Sequence, residues 1–273
     1  MVTELAGRTA LVTASSGGIG AAIARRLGAQ GADVVVNGRH AGRATAVADE
    51  IVAAGGRAHV VLGDLDSADG ARSVAARAVD AVGDVDILVN NFGGRVDAAA
   101  SVDFFDIDPE LWNATYNRNV TSAVRLVHLL APRMTENGWG RIVFLGSFAA
   151  HSTPGSNAEY AATKGAVLNL TLGLSKVLAH SGVTVNAVSP GMTSTEAVEK
   201  WLDSLAISQG ITGPDARERT VEWLLANRMK QTVNRVGMPD DVANAVGFLC
   251  SPASDFINGS NIRVDGGASS TIG

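Results

Sequence analysis

The chain of 273 residues holds a single cysteine, Cys250, so it can form no internal disulfide and a reducing compartment is expected. Its five histidines, His40, His59, His128, His151 and His180, lack metal-ligand spacing, which argues against a structural metal. Basic charge is also scarce. With 22 Lys+Arg against 27 Asp+Glu the net charge is -5, so no positive field gathers phosphates and nucleic-acid binding is not expected. Long apolar runs are missing: even counting glycine, the longest, Gly17 to Ala24, falls far short of the roughly 20 residues of a membrane-spanning helix. The stretch from Met1 to Arg8 has neither the basic nor the apolar region of a secretory signal, so a cytoplasmic location is expected. Aromatics are only 5% while glycines number 31, a composition of tight turns and close helix-to-sheet packing.

Short β-branched runs recur, each bounded by turn residues and followed by an amphipathic stretch of helical length. This is the pattern of repeated βαβ units in a mostly parallel sheet buried on both faces. Strands are predicted at Thr9 to Thr13, Asp33 to Asn37, Ala58 to Leu62, Asp86 to Val89, Arg141 to Gly146, Thr184 to Val188 and Asn261 to Val264. Helices are predicted over Gly18 to Gln30, Ala41 to Ala54, Ala68 to Ala81, Pro109 to Glu136, Ala158 to Ala179 and Pro239 to Leu249. Right-handed crossovers then give an α/β, doubly wound, Rossmann-type fold of about seven strands with helices on both faces. No linker interrupts residues 1–273, so one domain is expected. Between Thr195 and Arg235 lie Trp201, Leu202, Leu205, Ile207, Trp223, Leu224 and Leu225, which fit either a substrate-covering lid or two extra helices completing the core.

After the first strand, Thr13-Ala14-Ser15-Ser16-Gly17-Gly18-Ile19-Gly20 opens a helix, where backbone N–H groups and the positive helix end can receive a pyrophosphate. Alone the loop is a weak signal, because Ile23 replaces the third glycine of the dinucleotide fingerprint. The second strand ends in Val36-Asn37-Gly38-Arg39-His40, where an adenosine ribose would lie. Gly38 offers no carboxylate to a 2'-hydroxyl, whereas Arg39 can pair with a 2'-phosphate, which predicts NADP(H) over NAD(H). The plain alternative for Arg39 is a solvated surface side chain.

Tyr160 and Lys164 lie four apart on a predicted helix, so an ammonium can sit below a phenol and lower its pKa toward the working range of a general acid or base. Ser147 falls at the carboxyl end of a strand, where open α/β sheets bind ligands. A surface Tyr–Lys pair and a turn serine are the ordinary alternatives for these residues taken singly. A nucleophilic serine is disfavoured: no Gly-x-Ser-x-Gly elbow surrounds Ser147, and His151 has no obvious orienting acid.

Adding Asn90-Asn91-Phe92-Gly93, Asn119, Tyr160-Ala161-Ala162-Thr163-Lys164 and Pro190-Gly191, the ordered set resembles the short-chain dehydrogenase/reductase family over essentially the whole chain. It is similar to the single-domain branch that includes 3-oxoacyl-[acyl-carrier-protein] reductases. The family's glycine motif is matched at Thr13, Gly18 and Gly20, with Ala14 replacing its first glycine, and Phe92 stands where the family usually has alanine. The resemblance implies Ser147, Tyr160, Lys164 and Asn119 as catalytic residues, Asn119 positioning a water that links the lysine to solvent. It implies cofactor contacts from Thr13, Ser15, Ser16, Gly18, Ile19, Gly20, Arg39, Asp64, Leu65, Asn91, Tyr160, Lys164, Pro190, Gly191, Thr193 and Thr195. Asp64 and Thr195 could instead cap the helices that follow them.

The expected activity is NADP(H)-dependent hydride transfer between the nicotinamide and a small ketone or secondary alcohol, with an apolar substrate suggested by the composition of the lid. An NAD(H)-preferring alcohol dehydrogenase and a cofactor-binding sensor without turnover are the alternatives. A homotetramer or homodimer is implied by the resemblance. Ala123, Val124, Val127 and Leu130 would supply its apolar stripe or else face the sheet.

Overall fold

The computed structural model describes residues 3–96, 104–152, 157–229 and 231–269. Seven parallel strands, β1 (Thr9–Val12), β2 (Asp33–Gly38), β3 (Arg57–Leu62), β4 (Ile87–Asn90), β5 (Gly140–Leu145), β6 (Val183–Pro190) and β7 (Asn261–Val264), pair in the order β3-β2-β1-β4-β5-β6-β7. The helices are α1 (Gly18–Ala29), α2 (Ala41–Ala53), α3 (Ala68–Val82), α4 (Pro109–Tyr116), α5 (Ser122–Glu136), α6 (Ala158–Val177), α7 (Glu196–Ser208), α8 (Ala216–Asn227) and α9 (Pro239–Cys250). This is the Rossmann-type α/β fold expected, with each strand boundary within two residues of its predicted place at most.

The two-residue period of the strands divides the interior into two cores. Ala10, Val12, Val34, Val36, Ile87 and Val89 point into one, against α1, α2 and α9. Leu11, Val35, Leu88, Ile142 and Phe144 point into the other, with the apolar faces of α3, α5 and α6. Each fully buried aliphatic side chain contributes about 1.5–3 kcal/mol, so a register slip that exchanged the faces would cost both cores at once. Ala123, Val127 and Leu130 belong to the second core and are buried there, so they face the sheet and form no free interface stripe.

The chain order reverses between β1 and β4, which leaves a crevice at the carboxyl ends of these strands. The single helix predicted from Pro109 to Glu136 is interrupted: a π turn over Asn117–Thr121 separates α4 from α5 and buries Asn119. An extra residue per turn shifts the helical phase and is a recurrent feature of functional sites.

The segment from Thr195 to Arg235 forms α7 and α8, which pack on each other through Leu202, Leu205 and Leu224 in a cluster separate from both main cores. Trp201 and Ile207 stay exposed. Among the described residues no helix is long and apolar enough to cross a membrane, and no group of side chains could hold a metal ion.

Because the α7–α8 pair has its own small core, it should open independently of the sheet. Leu224→Ala removes about 2–5 kcal/mol of packing, so amides of α7 and α8 should exchange at least about tenfold faster while those of β1, β4 and β5 keep their protection. Hydrogen exchange by mass spectrometry reads this; uniform acceleration across the sheet would show that the lid is part of the main cooperative unit.

Candidate active site

The phosphate-loop region is held from below by side chains. Thr13 is fully buried; its Oγ1 accepts from the N–H groups of Asn91 (2.9 Å) and Phe92 (2.8 Å), joining the ends of β1 and β4. Ser15, also buried, donates to the Val12 carbonyl at 2.7 Å and accepts from Asn37 N–H at 3.0 Å. Asn91 donates to the carbonyls of Thr13 and Ala14. Thr13 and Ser15 therefore shape the loop through hydrogen bonds that are already satisfied.

Ala14 adopts φ 50°, the left-handed conformation for which the family keeps a glycine, at a cost of about 1–2 kcal/mol. Asn37 Oδ1 accepts from its N–H and Asn91 Nδ2 donates to its carbonyl, which fixes the strained residue from both sides.

A dinucleotide fits this cradle on steric grounds. A Cβ at Gly20 would lie 2.5 Å from both the Ala14 carbonyl oxygen and Asn91 Nδ2, so only glycine lets α1 start this close to the loop. The cap of α1 is Gly17, with no side-chain cap and no acidic residue in the first turn, so its first N–H groups remain for an anion.

Two adjoining hollows sharing Gly93 extend from the loop. One, about 320 Å³, is lined by Ser16, Gly38, Arg39, His40, Arg43 and Arg118, among others. A Cβ at Gly38 would lie 2.6 Å from Ser16 Oγ, so the residue that would offer a carboxylate here is excluded by space as well as by sequence. Arg39 is exposed and 3.7 Å from Asp64 Oδ2, a loose pair. Asp64 Oδ1 accepts from Asp66 N–H, and it is Ser67 that caps α3. The Leu65 side chain is buried in the second core, which leaves its main chain for any ligand contact. Phe92 packs its ring against the same core while also lining the hollow. Sequence reading missed Arg43 and Arg118, because their approach depends on the crossover connections.

The larger hollow, about 720 Å³, brings together Ile19, Asn91, Ser147, Tyr160, Lys164, Pro190, Gly191, Thr193 and Thr195. Thr193 is buried and donates to the Gly191 carbonyl at 3.2 Å, and Thr195 caps α7 while lining the hollow, so its two readings coexist. Gly18, with φ 53°, lies so near that a Cβ there would meet Thr195 Cγ2 at 3.4 Å.

Ser147, in extended backbone after β5, lines the same hollow as the Tyr160 phenol, and its Oγ accepts from Ala149 N–H at 3.1 Å. Lys164 is 5% exposed; its Nζ donates to the Leu145 carbonyl at 2.7 Å and lies 5.6 Å from the centre of the Tyr160 ring. Burial pulls its pKa from 10.5 to about 8. The Tyr160 phenol moves up, contrary to the sequence expectation: burial raises it and outweighs the hydrogen bond from Ser147, which favours the phenolate.

Asn119 meets this group indirectly. Its Nδ2 donates to the carbonyls of Gly94 and Thr115 at 2.9 Å, and its Oδ1 accepts from Gly94 N–H at 2.9 Å. The amide is thereby occupied and holds the Gly93–Gly94 strap beside Lys164, leaving no side-chain bond to the lysine.

A family model described as short chain dehydrogenase matches residues 8–206. An uncharacterized oxidoreductase of Bacillus subtilis (strain 168), YvaG, is 36% identical over 269 residues, 98% of each chain. The 7alpha-hydroxysteroid dehydrogenase of Escherichia coli (strain K12) is 32% identical over 264 residues, 97% of this chain and 95% of that one. A solved 7alpha-hydroxysteroid dehydrogenase complexed with NADH and 7-oxo glycochenodeoxycholic acid superposes with a TM-score of 0.83, covering 100% of this chain and 98% of the other at 32% identity. A 3-oxoacyl (acyl-carrier-protein) reductase from Agrobacterium tumefaciens C58 with NADP bound gives 0.84, covering 97% and 96% at 32% identity. The chain belongs to the short-chain dehydrogenase/reductase family. It is an oxidoreductase of that family, acting on CH–OH groups with a nicotinamide cofactor.

The depressed Lys164 has a consequence for stability. Between pH 8 and 10.5 the unfolded chain binds a proton that the folded one has released, so folding stability gains as pH rises through this window. Relative to Lys164→Met, the native protein should gain on the order of 2 kcal/mol between pH 7 and 9.5. Parallel urea titrations of the two proteins at both pH values measure it, and equal changes would place the Lys164 pKa in its ordinary range.

Proposed function

We propose that the protein is an NADP(H)-preferring carbonyl reductase working as a single dinucleotide-binding and catalytic domain. The observation that carries this reading is the gathering of Ser147, Tyr160 and a buried Lys164 in one hollow. The cofactor, when bound, supplies the hydride for the carbonyl carbon, or receives it in the reverse direction. The hydroxyls of Ser147 and Tyr160 converge on the carbonyl oxygen and stabilise the negative charge that develops there. Tyr160, a neutral phenol at physiological pH and held further toward that form by burial, gives its phenolic proton to that oxygen and leaves a phenolate next to Lys164. The Lys164 ammonium favours this phenolate, and its pKa of about 8 suits it to return a proton. Asn119 is assigned a positioning role, holding the strap at Gly93–Gly94.

NADP(H) preference is supported by the closed space at Gly38 and by Arg39, whose loose pairing with Asp64 a 2'-phosphate could replace. A cytoplasmic homotetramer or homodimer completes the reading, and light scattering of the purified protein checks the assembly.

Two outcomes are expected with a panel of ketones and purified protein. Tyr160→Phe should lower kcat for NADPH-dependent reduction at least about 100-fold while cofactor binding persists; undiminished turnover would remove Tyr160 from the mechanism. Absence of turnover with every ketone despite cofactor binding would favour the sensor alternative. Arg39→Ala should weaken NADPH about 10- to 100-fold and leave NADH nearly unaffected. Faster native turnover with NADH than with NADPH would overturn the cofactor preference.

A further inference from the structure

We infer that the substrate carries a carboxylate, which pairs with Arg228 at the lid end of the larger hollow; the inference rests on the reductase reading given above. Arg228 follows the last residue of α8 and lines the hollow that holds Ser147, Tyr160 and Lys164. Its guanidinium carbon sits 5.2 Å from the centre of the ring of Trp223, five residues earlier on α8. Stacking on an indole orients a guanidinium and leaves its N–H edge free for an anion.

No carboxylate or carbonyl partner of this guanidinium exists among the described residues. Other lid arginines are satisfied: Arg217 is forked onto Glu199 at 2.7 and 2.8 Å, Arg235 onto Asp241 at 2.6 and 2.8 Å, and Arg219 reaches the Thr212 carbonyl. Arg228 is solvent-exposed at the hollow, so its guanidinium is open to an anionic ligand that enters there.

The charge of the hollow points the same way. Its described lining contains no Asp or Glu, and its fixed charges are Lys164 and Arg228. Lys164 is buried and bonded to the Leu145 carbonyl, so Arg228 is the accessible one of the two. Phe148, Met192, Val198 and Met229 add apolar surface to the same lining. A ligand complementary to it has a carbonyl for Ser147 and Tyr160, an apolar body and a single negative charge for Arg228. A carboxylate matches one guanidinium fork in charge and geometry. The apolar substrate expected from the composition of the lid thus acquires an anionic terminus.

The test uses the whole protein and matched probes. Cyclohexanecarboxylate and its neutral carboxamide are titrated against tryptophan emission, with Trp223→Phe assigning the signal to the indole beneath Arg228. The acid should give a saturable change and bind at least tenfold more tightly than the amide; Arg228→Met should abolish the difference and Arg228→Lys retain part of it. With NADPH, 4-oxocyclohexanecarboxylate should exceed its methyl ester in kcat/KM by at least tenfold, a preference that collapses toward unity in Arg228→Met. Turnover of ester and acid alike would overturn the inference and leave the reductase reading intact. Carboxylate-specific binding with no reduction of either ketone would overturn the reductase reading and leave the anion site. Loss of the carboxylate response when NADPH saturates the protein would show that Arg228 holds a cofactor phosphate, and would also overturn the inference.

Discussion

The burial of the Lys164 ammonium against the end of β5 is the constraint on which the candidate site depends. Its bond to the Leu145 carbonyl ties α6 to the strand that carries Ser147 two residues further on, so one contact fixes Tyr160 and Ser147 relative to each other. An ammonium has three protons to donate, and one acceptor, the Leu145 carbonyl, is supplied among the described residues, while the lysine also lines the larger hollow. Leaving such a group wholly enclosed in a core would be costly. The parallel sheet makes the arrangement possible, since every strand ends at this edge and delivers its next residues to the same crevice.

Most of the fold was legible because a parallel sheet buried on both faces forces long β-branched runs, and each crossover forces a helix of similar length. Val34 to Val36 and Ile87 to Val89 alternate between two cores, yet both neighbours along the strand are apolar, so the run itself is the signal. Tyr160 and Lys164 were legible for a related reason: four residues along a helix is a spatial statement that needs no tertiary information. The π turn at Asn117–Thr121 was not, because nothing in the local residue types distinguishes it from continuous helix, and its cause lies in the packing that buries Asn119.

What the sequence could not convey is which of two opposing electrostatic effects prevails. A cation near a phenol lowers its pKa and desolvation raises it; spacing reveals the first, but only the depth of the cleft reveals the second. The same blindness affects the arginines. Arg217 and Arg228 look alike in sequence, and only the fold shows one forked onto Glu199 and the other over the Trp223 ring, with no carboxylate partner among the described residues. Ala14 makes the converse point: the residue type argues against a left-handed turn, while Asn37 and Asn91, distant in sequence, hold the backbone there.

The shifts of Tyr160 and Lys164 run toward the neutral form of each and share one cause, the exclusion of water from the floor of the cleft. In this state the phenol holds its proton more tightly than a free one, and the ammonium releases its own more readily. Negative charge brought close to Lys164 would raise its pKa again, and the ammonium in turn lowers the cost of a phenolate. The glycine cradle, the closed space at Gly38 and the bond of Lys164 to Leu145 all lie at the carboxyl edge of the same parallel sheet, so one crevice gathers them.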